Sequence, residues 1–391
     1  MPLGAPDFFQ LDEQLSSIEK GVRSAARSFV EKEVNPIISD CYINGEFPLD
    51  LIPKIAAKGF LGPTLPKKYG GMELNHVAYG LMLHELEAGD SGIRSFVSVQ
   101  GALCMYPIYR YGSEEQKLKW LPKMAKGELV GCFGLTEPNA GSDPGRMTTT
   151  ATKKGDHWEI TGRKMWITNG SISDLAIVWA KDSSSGEILG FVVEKEMQGF
   201  SAPEIEGKLS LRASRTSELV LDKVKVPESN RLPEAKGLSG PLSCLNQARF
   251  GIAWGTLGLA TDCYLEALKY SQERVQFDKP IAQFQLTQKK LVELHSDISL
   301  GQIMMLRFGR MKEEGTLRHP HVSMAKMFCC ELGLRAARMA RSILGGSGIL
   351  ADFHCMRHSQ NMESVFTYEG THEVHTLILG REITDLDGFA A

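Results

Sequence analysis

Several short segments contain side chains that suit catalysis or ligand binding. Glu369 lies in the segment VFTYEGT, between aromatic and apolar neighbours. Partial desolvation by such neighbours raises the pKa of a carboxylate and makes it a stronger base. Gly345 and Gly346, in SILGGSG, would let the backbone come close to a ligand, although a turn that ends a helix explains the same pair. Arg274 carries a guanidinium, which can bond two oxygens of an anionic group at once, although a lone arginine at a helix end commonly faces solvent.

The segment GLTEPNAGSD (134–143) is rich in small and hydroxylated residues, so it offers backbone N–H groups and hydroxyls as hydrogen-bond donors. A polar turn between two strands has the same composition, and both interpretations stay open. The eight cysteines are scattered and form neither a CxxC pair nor a zinc-ligand spacing. Most have apolar neighbours, which indicates buried reduced thiols, and we predict no metal site.

The elements that must position these residues follow an α–β–α order. Helical spacing of apolar residues predicts a helix over 16–34 that Pro36 ends. Further helices are predicted at about 50–58, 76–88, 95–110, 114–125, 244–270, 285–313, 321–344 and 361–380. Short β-rich runs separated by Gly, Ser, Asp and Pro lie between the two helical regions, at 148–152, 157–161, 175–180, 190–194 and 218–226.

We therefore predict an α+β fold with three domains. These are an N-terminal α-helical domain (1–130), a middle antiparallel β-barrel or β-sandwich domain (131–233) and a C-terminal four-helix bundle (234–391). The small residues of 244–270 would let helix axes approach closely there. Ligand pockets favour such domain junctions.

Composition narrows the classes of function. The 391 residues carry a formal net charge of −3 and no long basic stripe, which argues against nucleic acid as a partner. No run reaches the roughly 18 apolar residues that a membrane span requires. The N-terminal sequence shows neither a secretory core nor an Arg-rich transit pattern. We expect a cytoplasmic protein, or one of the mitochondrial matrix if a transit peptide was removed before residue 1.

Four segments in order carry a resemblance to a known family. They are CFGLTEPNAGSDP (132–144), KMWITN (164–169), RVQFDKPIAQFQ (274–285) and TYEGTHEVHTLILGR (367–381). Together they resemble the acyl-CoA dehydrogenase family, and the likeness runs from about residue 15 to 384. The resemblance implies an FAD-dependent enzyme of α–β–α fold that assembles as a homotetramer.

The resemblance also implies which residues hold FAD. Phe133, Leu135, Thr136 and Ser142 would lie against the flavin, with Trp166, Ile167 and Thr168 on its other side. Residues that would reach the dinucleotide half, in part from a neighbouring subunit, are Arg274, Phe277, Gln285, Leu344, Gly345 and Gly346, and Thr371 would make a further FAD contact. Two positions depart from the family, Asp278 and Asp385, because glycine is usual at both.

By the same resemblance, Glu369 is the catalytic base that removes the α-proton of a thioester. Its backbone N–H and a ribityl hydroxyl of FAD would stabilise the enolate that develops, and Gly370 would let the substrate approach. Two subfamilies place the base near Arg249 instead, but the segment LNQARFGIA (245–253) has no acid there. Asn246 and Arg249, together with Ser142, resemble residues on the CoA and substrate side.

The segment ELEAGDSGIRSFVSVQ (85–100) is similar to the one with which glutaryl-CoA dehydrogenases hold a distal carboxylate. Arg94 would pair with that carboxylate and Ser98 would donate a hydrogen bond to it. Ser95 joins the predicted substrate site, and Glu87 and Tyr368 would organise polar contacts around it. The alternative is that Arg94 caps a helix and faces water.

The resemblance thus implies oxidation and decarboxylation of glutaryl-CoA to crotonyl-CoA and CO2, with electrons passed to an electron-transferring flavoprotein. The alternatives within the same fold are a non-decarboxylating or short-chain acyl-CoA dehydrogenase and an acyl-CoA oxidase. A catalytically silent flavoprotein that serves as a binding module is the alternative of another class.

Overall fold

The computed structural model describes residues 7–389, and its first region is helical. The helices are α1 (Ser17–Phe29), α2 (Asn35–Asn44), α3 (Leu51–Ala57), α4 (His76–Gly89), α5 (Ser91–Ser98), α6 (Tyr106–Tyr111) and α7 (Glu114–Ala125). A capping box between Ser16 and Glu19 begins α1. Nearly every residue of α4 is buried, so this helix lies in the core rather than on the surface.

The first helical run does not end at Pro36, and that expectation was wrong. A π-helical turn, Val30–Val34, follows α1 directly and leads into α2. Pro36 lies in the first turn of α2. A proline is tolerated there because the N–H it lacks would have no partner inside the helix.

The middle region is one seven-stranded sheet. Its strands are β1 (Gly131–Gly134), β2 (Thr150–Lys154), β3 (His157–Thr168), β4 (Leu175–Asp182), β5 (Ile188–Glu194), β6 (Phe200–Ser201) and β7 (Thr216–Pro227). They are ordered β1-β4-β2-β3-β7-β6, and β5 pairs with β4. Both β1 and β2 run parallel to β4, whereas the other pairs are antiparallel as expected.

The last region is helical again. It consists of α8 (Ser239–Glu273), a hairpin of β8 (Val275–Gln276) and β9 (Lys279–Pro280), then α9 (Gln285–Glu313), α10 (His319–Leu344), α11 (His354–Thr367) and α12 (His372–Thr384). The exact domain limits stay a prediction, and residues 1–6 and 390–391 lie outside the described part. Within residues 7–389, no helix combines the length and apolar character that crossing a membrane requires.

The single helix expected over 361–380 is two helices, separated by residues 368–371. Glu369 has φ 54° and Gly370 has φ 100°, so the backbone leaves the right-handed helix there. Thr371 then caps α12, because its side chain accepts a hydrogen bond from the Val374 N–H. We call residues 368–371 the base loop.

Glycines on α8 let α4 and α5 pack against it. A methyl group added at Gly255 would overlap the Glu87 carboxylate, and one added at Gly258 would overlap the His84 carbonyl oxygen. The small residues of 244–270 therefore allow close helix packing, as predicted. This packing brings polar side chains of α4 and α5 to the centre of the molecule.

Candidate active site

The Glu369 carboxylate lies in a setting that suits a base. Its Oε2 is excluded from solvent and has no hydrogen-bond partner within residues 7–389. Burial raises the pKa of Glu369 above its ordinary value, although the positive charges of Arg94, Lys326 and Arg249 partly oppose that rise. A desolvated carboxylate without a donor is a stronger proton acceptor than one in water.

Two cationic side chains hold the base loop by its backbone. The Lys326 ammonium donates to the carbonyl oxygens of Tyr368 and Gly370, both at 2.6 Å. Arg249 Nε donates to the Glu369 carbonyl oxygen at 2.6 Å. These bonds offset the left-handed conformation of Glu369, which costs a non-glycine residue about 1–2 kcal/mol.

Sequence reasoning identified Arg249 but missed Lys326 and His375. A single lysine inside the apolar run SMAKMFCC of α10 was the available signal. His375, on α12, is buried, and burial together with Lys326 and Arg249 lowers its pKa to about 2, so the ring is neutral. A methyl group added at Gly370 would lie 3.0 Å from both His375 Nε2 and Arg249 Nη2, which makes this glycine part of the packing.

Arg94, Glu87 and Tyr368 form one buried polar cluster. Arg94 is 1% exposed and Glu87 is 0% exposed, with 2.6 Å between Arg94 Nε and Glu87 Oε2. Arg94 Nη2 also donates to the hydroxyl of Tyr368, which directly precedes Glu369 in the chain. Arg94 therefore does not face water, and the interpretation as a solvent-exposed helix cap was wrong.

Unpaired hydroxyl groups lie close to this cluster. Ser98 Oγ and Tyr79 OH are both buried and have no hydrogen-bond partner among the described residues. Both lie beside Gly251 of α8, at 3.8 and 3.3 Å from the position a Cβ would take there. Ser95 is buried on α5 as well. Buried hydroxyls are normally paired, and Ser98 interacts with the Tyr79 hydroxyl and lowers its pKa against the effect of burial. Both hydroxyls are candidates to bind a substrate.

The charges buried here do not cancel. Arg94, Arg249 and Lys326 supply three cations, whereas Glu87 and an ionised Glu369 supply two carboxylates. An uncompensated charge is costly in the interior. The site therefore favours a ligand that brings a negative group.

The two segments predicted to enclose a flavin meet in the sheet. The Met165 N–H donates to the Thr136 carbonyl oxygen at 2.8 Å. Beneath them, the buried Lys164 ammonium donates to the Leu135 carbonyl oxygen at 3.1 Å and to Glu137 at 2.9 Å. Glu137 also accepts backbone N–H bonds from residues 148 and 149, and its pKa falls to about 2. This network fixes the backbone around Thr136.

The exposed side chains of these segments suit a flavin ring. Trp166 lies within β3, next to the buried Ile167, yet it has φ 63° and is 63% exposed. Thr136 and Thr168 are half-buried, and Ser142 is exposed. An exposed indole offers a stacking surface, and hydroxyl and backbone donors suit the polar edges of the ring. Phe133 is buried on β1.

The residues predicted for the dinucleotide half lie on the surface of the chain. Arg274, Phe277 and Gln285 are exposed around the β8–β9 hairpin, and Gly345 and Gly346 are exposed after α10. Within the same chain an added methyl at either glycine would meet nothing within 4 Å. Leu344 differs, because it is 1% exposed and packs in the core. Contacts of this set with a neighbouring subunit's FAD stay a prediction.

Both departures from the family occur where glycine conformations are needed. Asp278 has φ 61° in the hairpin turn, next to Phe277 at φ 51°. Asp385 has φ 58° and caps the end of α12. Aspartate tolerates the left-handed region better than most residues, which accounts for its presence at both places.

Two further predicted residues, Thr371 and Asn246, lie at or on helices of the last region. Thr371 caps α12, so its FAD contact stays a prediction. Asn246 is half-buried on α8, one turn before Arg249.

The eight cysteines are free, and seven of them are buried. One aspartate and two histidines form a cluster that joins α8 to α11. Asp262 Oδ2 lies 2.9 Å from His354 Nδ1 and 3.1 Å from His358 Nε2. This cluster contains no cysteine, so the spacing of cysteines could not predict it. These side-chain types can bind divalent metals. The short N···O distances, however, fit hydrogen bonds between the side chains. The expectation of no metal stays a prediction.

Fold and site together define a flavin enzyme with two helical regions, a β-sheet region between them along the chain, and a buried carboxylate held among the helices. The chain belongs to the acyl-CoA dehydrogenase family and is an FAD-dependent oxidoreductase. The N-terminal domain of that family matches residues 16–128, its middle domain 132–224 and its C-terminal domain 235–384.

Solved structures of related proteins give a finer comparison. A glutaryl-CoA dehydrogenase from Mycobacterium smegmatis is 50% identical, with a TM-score of 0.95 and 97% of each chain covered. Another from the same organism, in complex with FADH2, is 46% identical, with a TM-score of 0.96 and 98% of each chain covered. A 3-(aryl)acrylate reductase of Clostridium sporogenes is 34% identical over 366 residues, which cover 93% of this chain and 97% of that protein. The relatives thus share a family but not one substrate.

Proposed function

We propose that the protein oxidises and decarboxylates glutaryl-CoA to crotonyl-CoA and CO2. The observation that carries this proposal is the surplus of buried cations around Arg94. A distal carboxylate would balance that surplus, whereas an alkyl tail would leave it unbalanced. The similarity to glutaryl-CoA dehydrogenases at 50% and 46% identity supports the same substrate.

Glu369 begins the reaction by removing the α-proton of the thioester. Its raised pKa makes it a competent base. The backbone N–H of Glu369 donates to the thioester oxygen and stabilises the enolate that develops. FAD, when bound, supplies the acceptor for the hydride that leaves Cβ.

The second half of the reaction takes place on the bound glutaconyl-CoA. Its distal carboxyl group leaves as CO2, and the electron pair of the broken bond forms a dienolate. Protonated Glu369 then returns its proton to Cγ, which gives crotonyl-CoA. Arg94 holds the carboxylate before this step, and Tyr368 and Glu87 keep the guanidinium in place.

Electron transfer and assembly belong to the same proposal. We infer that an electron-transferring flavoprotein takes up the electrons. We also infer a homotetramer, since the exposed Arg274, Phe277 and Gln285 suit a contact with a neighbouring subunit's FAD better than a role within the chain. A cytoplasmic location fits the bacterial relatives.

An anaerobic titration with glutaryl-, butyryl- and isovaleryl-CoA tests the proposal. We expect bleaching of the flavin absorbance with glutaryl-CoA and crotonyl-CoA as the product by mass. Glutaconyl-CoA alone would identify a non-decarboxylating enzyme, and preference for butyryl-CoA a short-chain dehydrogenase. No bleaching with any thioester would indicate a silent flavoprotein, and rapid oxygen consumption without a carrier an oxidase.

A further inference from the structure

Lys326 is a buried lysine at the centre of the site. It lies on α10 and is 1% exposed, yet its charge has no carboxylate in direct contact among the described residues. Its ammonium instead donates to the carbonyl oxygens on either side of Glu369, those of Tyr368 and Gly370. Burying an ammonium in this way is costly, so the position calls for a function.

The two bonds of Lys326 fix peptide planes that contain functional groups. A peptide unit is planar and trans, so its C=O and N–H point in opposite directions. The carbonyl of Tyr368 and the N–H of Glu369 belong to one such unit. Where Lys326 holds that oxygen, it also sets the direction of the N–H. With Arg249 on the Glu369 carbonyl, three consecutive carbonyl oxygens are held by cations.

We propose that Lys326 is a positioning residue that directs the Glu369 N–H toward the thioester oxygen and holds the Glu369 carboxylate ready for the α-proton. The proposal rests on the proposed function, since it takes Glu369 as the base. Lys326 acts through the base loop and does not itself touch the reacting atoms.

The charge of Lys326 has a second effect. It opposes the rise in the pKa of Glu369 that burial causes. Burial also lowers the pKa of Lys326 itself, to about 8. Removing the charge should therefore raise the pKa of Glu369 further. The other ionisable groups that face this pair are Tyr79 and Glu87 of α4, Arg94 of α5, Arg249 of α8, Cys330 of α10, Tyr368 of the base loop and His375 of α12.

Two substitutions of Lys326 separate the effect of its hydrogen-bond donors from the effect of its charge. Lys326→Met removes both, whereas Lys326→Gln removes the charge but retains an amide with two N–H donors. Lys312→Met is the matched control. Lys312 is partly buried on α9, its pKa is also lowered to about 8 by burial, and it donates to Gln247 at 2.7 Å without a hydrogen bond to the base loop.

The first measurement is the rate of flavin reduction by glutaryl-CoA in single turnovers, as a function of pH. Losing one well-placed donor to a developing oxyanion lowers rates about 100-fold or more. We expect that loss in Lys326→Met, with the substrate dissociation constant within about threefold of wild type, a ratio that RT ln K converts to less than 1 kcal/mol. Lys326→Gln should recover part of the rate at high pH, and Lys312→Met should match wild type.

The second measurement needs no substrate. The infrared band of the protonated Glu369 carboxyl, assigned with Glu369→Gln, is titrated with pH in the holoenzyme. We expect the midpoint to rise in both Lys326 variants and to stay unchanged in Lys312→Met. Should Lys326→Met fail to fold, Lys326→Gln still decides the question.

The outcomes separate this inference from the proposed function. A folded, FAD-loaded Lys326 variant with the wild-type rate and the wild-type Glu369 titration would overturn the role of Lys326. The proposed function would be overturned if no acyl-CoA reduced the flavin of the wild-type enzyme. If the Glu369 titration nevertheless shifted in the Lys326 variants, the contact between Lys326 and the base loop would still be supported.

Discussion

Replacing Arg94 by Gln tests the substrate assignment most directly. The substitution leaves Glu87, which is 0% exposed, without the guanidinium that now lies 2.6 Å away. Breaking a buried ion pair by removing one partner costs about 3–5 kcal/mol. We therefore expect a clear loss of stability in Arg94→Gln, and recovery of much of it in the double variant with Glu87→Gln, where no charge is left unpaired.

The effect of Arg94→Gln on catalysis should depend on which substrate is used, and not on the loss of protein stability. A charge-assisted hydrogen bond is worth about 1.5–3 kcal/mol, and each 1.36 kcal/mol is a factor of ten. Loss of Arg94 should thus lower kcat/KM for glutaryl-CoA by about 10- to 150-fold. Butyryl-CoA has no distal carboxylate, so its kcat/KM should stay within about threefold, which is below 1 kcal/mol.

The assay is steady-state turnover with both thioesters, together with thermal unfolding of each variant. Arg27→Gln is a matched control. Arg27, on α1, forms an ion pair at 2.9 Å with Glu85, which lies on α4 as Glu87 does, but this pair lies outside the site. It should lower stability and leave the ratio of the two substrates unchanged. Equal loss on glutaryl- and butyryl-CoA in Arg94→Gln, or restored glutaryl-CoA turnover in the double variant, would refute the reasoning.

Three more predictions follow from single sites. Glu369→Gln should retain FAD but lose about 100-fold or more of flavin reduction, and in wild type that rate should fall as the pH drops through the raised pKa of Glu369; bleaching in single turnovers measures both. Asp262 has a lowered pKa and His354 a raised one. The contribution of their ion pair to protein stability should therefore be lost as the pH falls through the Asp262 pKa or rises through the His354 pKa. Melting temperatures of wild type and Asp262→Asn across pH check this. Gly258→Ala should destabilise by about 2 kcal/mol or more, because its methyl would overlap a backbone carbonyl of α4, whereas Gly21→Ala, with open space around it on α1, should stabilise by about 0.5–1 kcal/mol; urea unfolding distinguishes the two.

Local patterns predicted much of the fold and the buried setting of Glu369. The order of helical and β-rich segments reflects side-chain periodicity, which the backbone geometry imposes residue by residue. The motif around Glu369 likewise carries its own aromatic and apolar neighbours. The parallel pairing of β1 and β2 with β4 was missed, because strand pairing depends on partners distant in sequence.

The break between α11 and α12 shows why the rest could not be predicted. Residues 361–380 carry a continuous helical pattern, yet Glu369 and Gly370 both have positive φ. The bonds that hold them come from Arg249 and Lys326, on two other helices. Tertiary contacts therefore override the local pattern at the place where Glu369 leaves the helix.

The same reasoning applies to specificity. Arg94 is already paired with Glu87, so its presence alone does not favour a carboxylate ligand. What favours one is the sum over the buried cluster, in which Arg249 and Lys326 add two more cations while Glu369 adds one carboxylate. A sequence motif contains only one or two of these residues and gives no information on the net charge of the whole cluster. Only the fold, which packs their helices against one another, sets the balance of charge that a distal carboxylate would complete.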